Sequence, residues 1–97
     1  MNGLYFEWDE NKNAINKRKH GVSFEEAETV FYDENALLIS DPDHSAEEER
    51  FILLGFSFRA RLLIVCHCIR GSEDVVRIIS ARRATVRETQ QYNAQEV

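Results

Sequence analysis

The sequence is poor in the residues that mark special chain classes, with 1 proline, 4 glycines and 2 cysteines among 97 residues. So little glycine and proline excludes collagenous and low-complexity chains. Two cysteines cannot build the disulfide framework of a small secreted domain. The longest apolar run, residues 62–66, is far shorter than the ~18 residues of a membrane span, and the start lacks a signal-peptide pattern. These absences predict one soluble domain over residues 1–97, without membrane contact, in a reducing cytoplasm.

The sequence is rich in charge, which is divided unevenly between its halves. Residues 1–49 carry 13 acidic and 4 basic side chains, whereas residues 50–97 carry 8 arginines and 4 acidic side chains. The planar guanidinium group suits bidentate recognition of phosphate. Composition alone favours the alternative, in which these arginines pair with the acidic first half.

Capping residues predict three helices. Asp9 is a good N-cap for a helix over Glu10–His20, and Gly21 supplies the left-handed residue that ends it. Ser23 and Thr85 are each followed three residues later by glutamate, which predicts two capping boxes at the starts of a second and a terminal helix.

Apolar and β-branched runs predict five strands, at residues 4–8, 36–40, 50–58, 61–69 and 75–81. The third and fourth are separated by Arg59 and Ala60 alone, so they should form an antiparallel hairpin. The order β-α-α-β-β-β-β-α predicts an α+β domain, an antiparallel sheet with helices on one face.

Alternation places Arg77 on a strand with two largely apolar faces, one of which it shares with Ala81. Such a strand is expected in the middle of the sheet. Arg61, Arg77 and Arg82 would form one cationic patch, suited to a phosphate, if the strand registers bring them together. The alternative is a structural network of ion pairs with the acidic half.

The histidines and the tryptophan each allow a structural interpretation. His20 ends a helix, where an imidazolium stabilises terminal carbonyls, and His44 lies in an acidic loop as either a proton carrier or a solvated side chain. His67 points away from the flanking cysteines on a regular strand, so no metal site is expected. Trp8 either packs in the core or stacks on an unpaired base.

Three runs resemble the BrnT family of bacterial toxins: FEWDENK at residues 6–12, KHGVSFEEA at 19–27 and RIISARRAT at 77–85. The resemblance extends over roughly residues 5–92 of the chain. One departure is Ala60, where the family usually has glycine before the arginine at position 61. Alanine is harmful there only if the position needs a positive φ.

The resemblance implies a RelE-like fold and a metal-independent endoribonuclease without a cofactor, which cleaves RNA and arrests translation. It also implies a BrnA-like antitoxin with a ribbon-helix-helix domain, so operator DNA would be bound only through that partner. The RNA substrate would be either free or on the ribosome.

RNA cleavage by 2′-hydroxyl attack needs a base, an acid and cations that stabilise the phosphorane. With the resemblance, we expect Arg61 and Arg77 to form a phosphate clamp, with Arg82 as a third cation. Lys19 would add charge or act as a base of lowered pKa. The candidate proton carriers, unranked, are Glu49, His20 and His44, and Trp8 is the candidate base-stacking residue.

Two other functions stay open. A ParE-like toxin would inhibit its target by binding and cleave no RNA. An inactive member would survive as an antitoxin-binding co-repressor. Toxicity on expression separates the second from the toxins, and RNA integrity separates the two kinds of toxin.

Overall fold

The computed structural model describes residues 4–40, 49–71 and 74–95. These residues form an α+β domain, which confirms the predicted class. In chain order the elements are β1 (Tyr5–Glu7), α1 (Glu10–His20), α2 (Phe24–Thr29), a 3₁₀ turn (Val30–Tyr32), β2 (Leu37–Ser40), β3 (Phe51–Phe56), β4 (Leu62–Arg70), β5 (Val75–Arg83) and α3 (Val86–Asn93).

Helix α1 begins and ends at the residues that the sequence predicts. The Asp9 side chain accepts hydrogen bonds from the backbone N–H groups of Asn11 and Lys12. At the other end Gly21 adopts a φ of 70° and its N–H donates to the carbonyl of Lys17. These local contacts satisfy the free backbone groups at both helix ends.

The buried residues of helix α1 are two amides, Asn13, which bonds to the start of α2, and Asn16, which bonds to the sheet. The Asn16 Nδ2 donates to the carbonyls of Val22 and Ala81, both at 2.8 Å, and its Oδ1 accepts from the Ala81 N–H at 3.2 Å. Directional hydrogen bonds therefore fix the position of α1, where an apolar stripe would ordinarily do so.

The sheet has the strand order β1-β5-β4-β3-β2. Three adjacent pairs are antiparallel, but β1 pairs parallel to β5. The sheet is therefore mixed, which differs from the predicted antiparallel sheet. The chain leaves β1 through α1 and reaches β5 much later, so no tight turn dictates an antiparallel pairing. Strand β5 is interior as expected, one strand in from the β1 edge.

The pairing of β4 with β5 contains one register shift, which leaves Ile79 as an extra residue. A bulge of this kind interrupts the alternation of side chains. Ala81 consequently packs in the same buried cluster as Ile78. The prediction that Ala81 shares the face of Arg77 is therefore wrong, and it is Arg82 that lies on that face.

The sheet has a buried apolar cluster on each face. On one face, Val22, α2 and the 3₁₀ turn pack against strands β3, β4 and β5. The buried cluster there consists of Val22, Phe24, Ala27, Val30, Leu53, Leu63, Val65, Val76, Ile78 and Ala81. The opposite face buries Leu54, Leu62 and Ile64, against which Tyr92 of α3 packs. Helices therefore cover both faces, in contrast to the single covered face that the sequence predicts. Among the described residues no helix is long and apolar enough to cross a membrane.

Candidate active site

The sheet face opposite α1 and α2 carries a group of charged side chains, Glu7, Arg70, Arg77 and Arg82, which we call the arginine face. Arg77 pairs laterally with Glu7 of β1 and Cys68 of β4. Arg82 lies opposite Ile64, which belongs to the cluster under α3. Because β4 alternates regularly from position 64 to position 68, Arg77 and Arg82 lie on the same face.

On the arginine face, the carboxylate of Glu7 forms ion pairs with two arginines. Glu7 Oε2 lies 3.1 Å from Arg77 Nη1 and 3.4 Å from Arg70 Nε. The three side chains remain partly exposed, at 31% for Arg77, 54% for Arg70 and 40% for Glu7. A guanidinium has five N–H donors, so each arginine keeps donors for an outside anion. The group can bind a phosphodiester and accept a proton beside it.

Arg82 is committed to the start of α3. Its Nη1 and Nη2 donate to the two carboxylate oxygens of Glu88 at 2.9 and 2.8 Å. Glu88 also accepts the backbone N–H of Thr85, completing the predicted capping box. The hydrogen bonds from Arg82 are the main reason why the pKa of Glu88 falls from its ordinary value of 4.5 to about 2. This arginine therefore holds α3 on the sheet.

Arg61 is held at the corner between α1 and α2. Its Nε donates to Glu26 Oε2 at 3.0 Å, and its Nη2 donates to the other oxygen of Glu26 and to the Gly21 carbonyl. Glu26 is only 3% exposed and also accepts from Ser57 Oγ at 2.6 Å. Burial opposes ionisation of Glu26, but the hydrogen bonds from Arg61 and Ser57 outweigh it and lower its pKa. Arg61 therefore fastens the β3–β4 hairpin to α2.

The expected convergence of three arginines is wrong. Arg61 precedes β4, whereas Arg77 lies opposite Cys68. The two arginines are therefore about 23 Å apart along the direction of β4. Arg61 also faces α2, while Arg77 and Arg82 lie on the arginine face. Arg61 and Arg77 pair with carboxylates of the acidic first half, as the ion-pair alternative expects. Arg82 pairs instead with Glu88 of its own half.

The structure places the other candidate catalytic residues at two ends of the sheet. Lys19 is exposed and His20 half-buried at the end of α1, beside the Gly21 carbonyl that Arg61 contacts. Glu49 is exposed ahead of β3, at the end of the sheet that carries Arg77. His44 lies outside the described residues.

Trp8 is half-buried against the core. Its ring meets Phe24 edge-on, with centroids 6.0 Å apart, and its Nε1 donates to Glu10 Oε2 at 3.0 Å. These contacts favour the packing interpretation over base stacking.

His67 is enclosed by aromatic rings. Its ring centroid is 4.8 Å from that of Phe31 and 6.0 Å from that of Phe51. Burial lowers its pKa, which favours a neutral core side chain. Within the described ranges, no group of three or more His, Cys, Asp or Glu side chains is arranged to hold a metal ion.

Sequence reasoning missed two carboxylates, Glu7 and Glu26. Alternation between Phe6 and Trp8 shows that Glu7 points away from the core, but its pairing with β5 has no local signal. The sequence predicts Glu26 as part of a capping box with Ser23. The Glu26 N–H does donate to the Ser23 side chain, but the Glu26 carboxylate accepts from Arg61 rather than from the start of the helix.

Comparison with known proteins gives one family and one fold. The model of the family described as "Ribonuclease toxin, BrnT, of type II toxin-antitoxin system" matches residues 8–88. The 1.1 Å crystal structure of the ribonuclease toxin BrnT of Brucella abortus is similar to this chain, with a TM-score of 0.66 and 24% identity. The similarity covers 84% of this chain and 97% of that chain and shows the shared fold. No curated protein sequence matches the chain.

Proposed function

The chain belongs to the BrnT family of ribonuclease toxins of type II toxin–antitoxin systems, and from this premise we propose that it is a metal-independent endoribonuclease. The observation that carries the proposal is the family match over residues 8–88. Membership of the family implies an RNA target and an antitoxin partner. The proposed consequence of cleavage is arrest of translation and growth.

The proposed reaction uses the RNA as its own nucleophile. The ribose 2′-hydroxyl loses its proton to a base and attacks the adjacent phosphorus. The bond from phosphorus to the 5′-oxygen breaks, and an acid protonates that oxygen. The products are a 2′,3′-cyclic phosphate and a free 5′-hydroxyl. Cations that stabilise the phosphorane contribute most when they are already in position.

The arginine face supports this chemistry better than the corner of α1 and α2. Arg77 and Arg70 bind the scissile phosphate with their outward donors, and Glu7 between them accepts the 2′-hydroxyl proton. Glu49 and His44 remain the proposed proton donors.

The candidates at the corner of α1 and α2 have a different place in the proposal. Arg61, Lys19 and His20 lie at the other end of β4 from Arg77, too far away to share one phosphodiester with it. Arg61 holds the hairpin. We assign Lys19 and His20 to contacts with the RNA away from the cleaved bond.

The proposed partner is a BrnA-like antitoxin with a ribbon-helix-helix domain, in the cytoplasm. An acidic or apolar segment of that partner would complement the arginine face and cover it. Binding of operator DNA, and repression of the operon, would come from the antitoxin in the complex.

The test is cleavage of an end-labelled RNA by the purified chain in EDTA. Wild type should leave 2′,3′-cyclic phosphate ends, and Arg77→Ala should cut about 100-fold more slowly, as expected for loss of one transition-state donor. The matched control is Arg87→Ala, which removes an exposed arginine on α3 and should leave the rate unchanged.

Other outcomes of this test would change specific parts of the proposal. Equal rates for Arg77→Ala and wild type would show that the site is misplaced. Cleavage abolished by EDTA would contradict metal independence. Cleavage seen only with added ribosomes would assign the substrate to messenger on the ribosome. Toxicity with intact RNA would favour the ParE-like alternative, and absence of toxicity the co-repressor.

A further inference from the structure

Three exposed aromatic side chains surround one cleft beside the β3–β4 hairpin. Tyr32 is 65% exposed, Phe56 41% and Phe58 73%. Single exposed apolar residues are common, but a concave group of them marks a binding site. The cleft has a volume of about 450 Å³, and we call it the aromatic cleft; it is lined by Thr29, Tyr32, Asp33, Phe56, Ser57 and Phe58.

The hairpin that carries Phe58 is held firmly. The Phe58 N–H donates to Thr29 Oγ1 at 2.9 Å, and Ser57 Oγ donates to the buried Glu26. The turn closes with a bond from the Ala60 N–H to the Ser57 carbonyl at 2.9 Å. A ring presented on such a turn needs little further ordering when it binds a ligand.

The Asp33 carboxylate and the Thr29 hydroxyl of the cleft already have partners within the protein. Asp33 Oδ2 accepts from the Phe56 N–H at 2.8 Å and from the Tyr92 hydroxyl at 2.7 Å, and Oδ1 accepts from the Asn35 N–H. The Thr29 hydroxyl donates to the Glu26 carbonyl. The cleft therefore offers mainly aromatic faces, and its chemistry fits a flat aromatic ring.

A cation stands next to the cleft. Arg59 follows Phe58 at the tip and is 58% exposed, and its nearest acidic oxygen, Oε1 of Glu26, is 3.9 Å away. On the other side of the tip, Arg59 lines a second cleft of about 550 Å³ together with Lys17, Glu25 and Glu26. Aromatic faces beside exposed cations are the combination that binds single-stranded nucleic acid, by stacking the base and contacting the phosphate.

We propose that the aromatic cleft stacks an unpaired base of the RNA substrate and that Arg59 contacts the phosphate of that nucleotide. The proposal rests on the proposed ribonuclease function. The hairpin lies at the end of β4 remote from Arg77, so the stacked nucleotide is several positions from the cleaved bond. Since the cleft would hold the base mainly through its flat faces, the stacked base is selected weakly by identity.

The test measures binding of a fluorescently labelled 2′-O-methyl oligoadenylate, which cannot be cleaved through its 2′ position, by anisotropy at fixed salt. Phe58→Ala and Tyr32→Ala should each raise the Kd by about 5- to 150-fold, the range for loss of one base–aromatic stack. Phe58→Trp should retain the wild-type affinity. Val86→Ala is the control, because Val86 is an exposed apolar residue, at 76%, that lies on α3 and outside the aromatic cleft.

Cleavage of the all-ribose RNA by the same proteins separates the two proposals. If wild type cleaves RNA and Phe58→Ala binds the oligonucleotide within twofold of wild type, the aromatic cleft is not an RNA subsite and the ribonuclease stands. If wild type does not bind the oligonucleotide and cleaves no RNA either with or without added ribosomes, both proposals fail. If Phe58→Ala binds RNA normally but loses the antitoxin, the cleft is a protein-docking surface and the RNA proposal is overturned. Thermal unfolding confirms that the exposed substitutions leave the fold intact.

Discussion

Two arginine–glutamate pairs at opposite ends of β4 have the same chemistry and different roles. At the α1–α2 corner, Glu26 is 3% exposed and takes two hydrogen bonds from Arg61. On the arginine face, Glu7 is 40% exposed and lies between two arginines that keep free donors. The first pair joins two elements of the fold, whereas the second is available to a ligand. Burial, rather than residue type, decides which role an arginine takes.

The largest expected effect tests the buried pair. Glu26→Ala leaves the Arg61 guanidinium without its counter-charge and Ser57 without its acceptor, so it should destabilise the fold by about 3–5 kcal/mol. Glu7→Ala removes a partly exposed acceptor and should cost less than about 1 kcal/mol. Urea unfolding of both variants measures the difference. Equal losses of stability would remove the distinction between the two pairs.

A pair of intermediate burial, Arg82–Glu88, sharpens the comparison through pH. The pKa of Glu88 is lowered to about 2 in the folded protein, whereas its ordinary value in the unfolded chain is 4.5. As pH falls, the unfolded chain therefore takes up a proton while folded Glu88 stays ionised. The stability that it contributes is complete above about pH 4.5 and is lost as pH falls through about 2. We expect a loss of about 1–2 kcal/mol, since Arg82 is partly screened by water.

The measurement compares unfolding of wild type and Glu88→Gln from neutral to acidic pH. The stability difference between them should be greatest near neutral pH and vanish at the acidic end. A difference independent of pH would show that the Glu88 charge does not stabilise the helix start.

The smallest effect concerns the turn before Arg61. Ala60 has a φ of 60°, a left-handed conformation that costs an L-residue about 1 kcal/mol. Ala60→Gly should therefore stabilise the protein by up to about 1 kcal/mol and leave RNA cleavage unchanged. Thermal unfolding measures the gain. A loss of stability would show that the strain is relieved elsewhere in the hairpin.

The features that the sequence predicts are those determined by residues close to one another in the chain. The bounds of α1 and the cap at Thr85 depend on neighbouring residues, and the sequence predicts them correctly. It also predicts the β3–β4 hairpin, but it extends β3 to position 58 where the strand ends at Phe56. The condition attached to Ala60, a positive φ, is met in a connection longer than the predicted two residues, because residues 57–61 lie between β3 and β4.

The features that were missed depend on distant partners. Glu26 meets Arg61 35 residues later, and Glu7 meets Arg77 70 residues later. The bulge at Ile79 arises only when β4 and β5 pair, so alternation along β5 alone misplaces Ala81. Which arginine is buried and which is available therefore emerges only in the folded chain.

The amide of Asn16 also completes part of one edge of the sheet. Strand β1 pairs with β5 only from Val75 to Arg77, and beyond that point the outer edge of β5 would be open to a foreign strand. At Ala81 the Asn16 side chain both donates to the carbonyl and accepts from the N–H, as a neighbouring strand would. A single side chain thus extends the sheet by one residue and blocks an edge at which aggregation could begin.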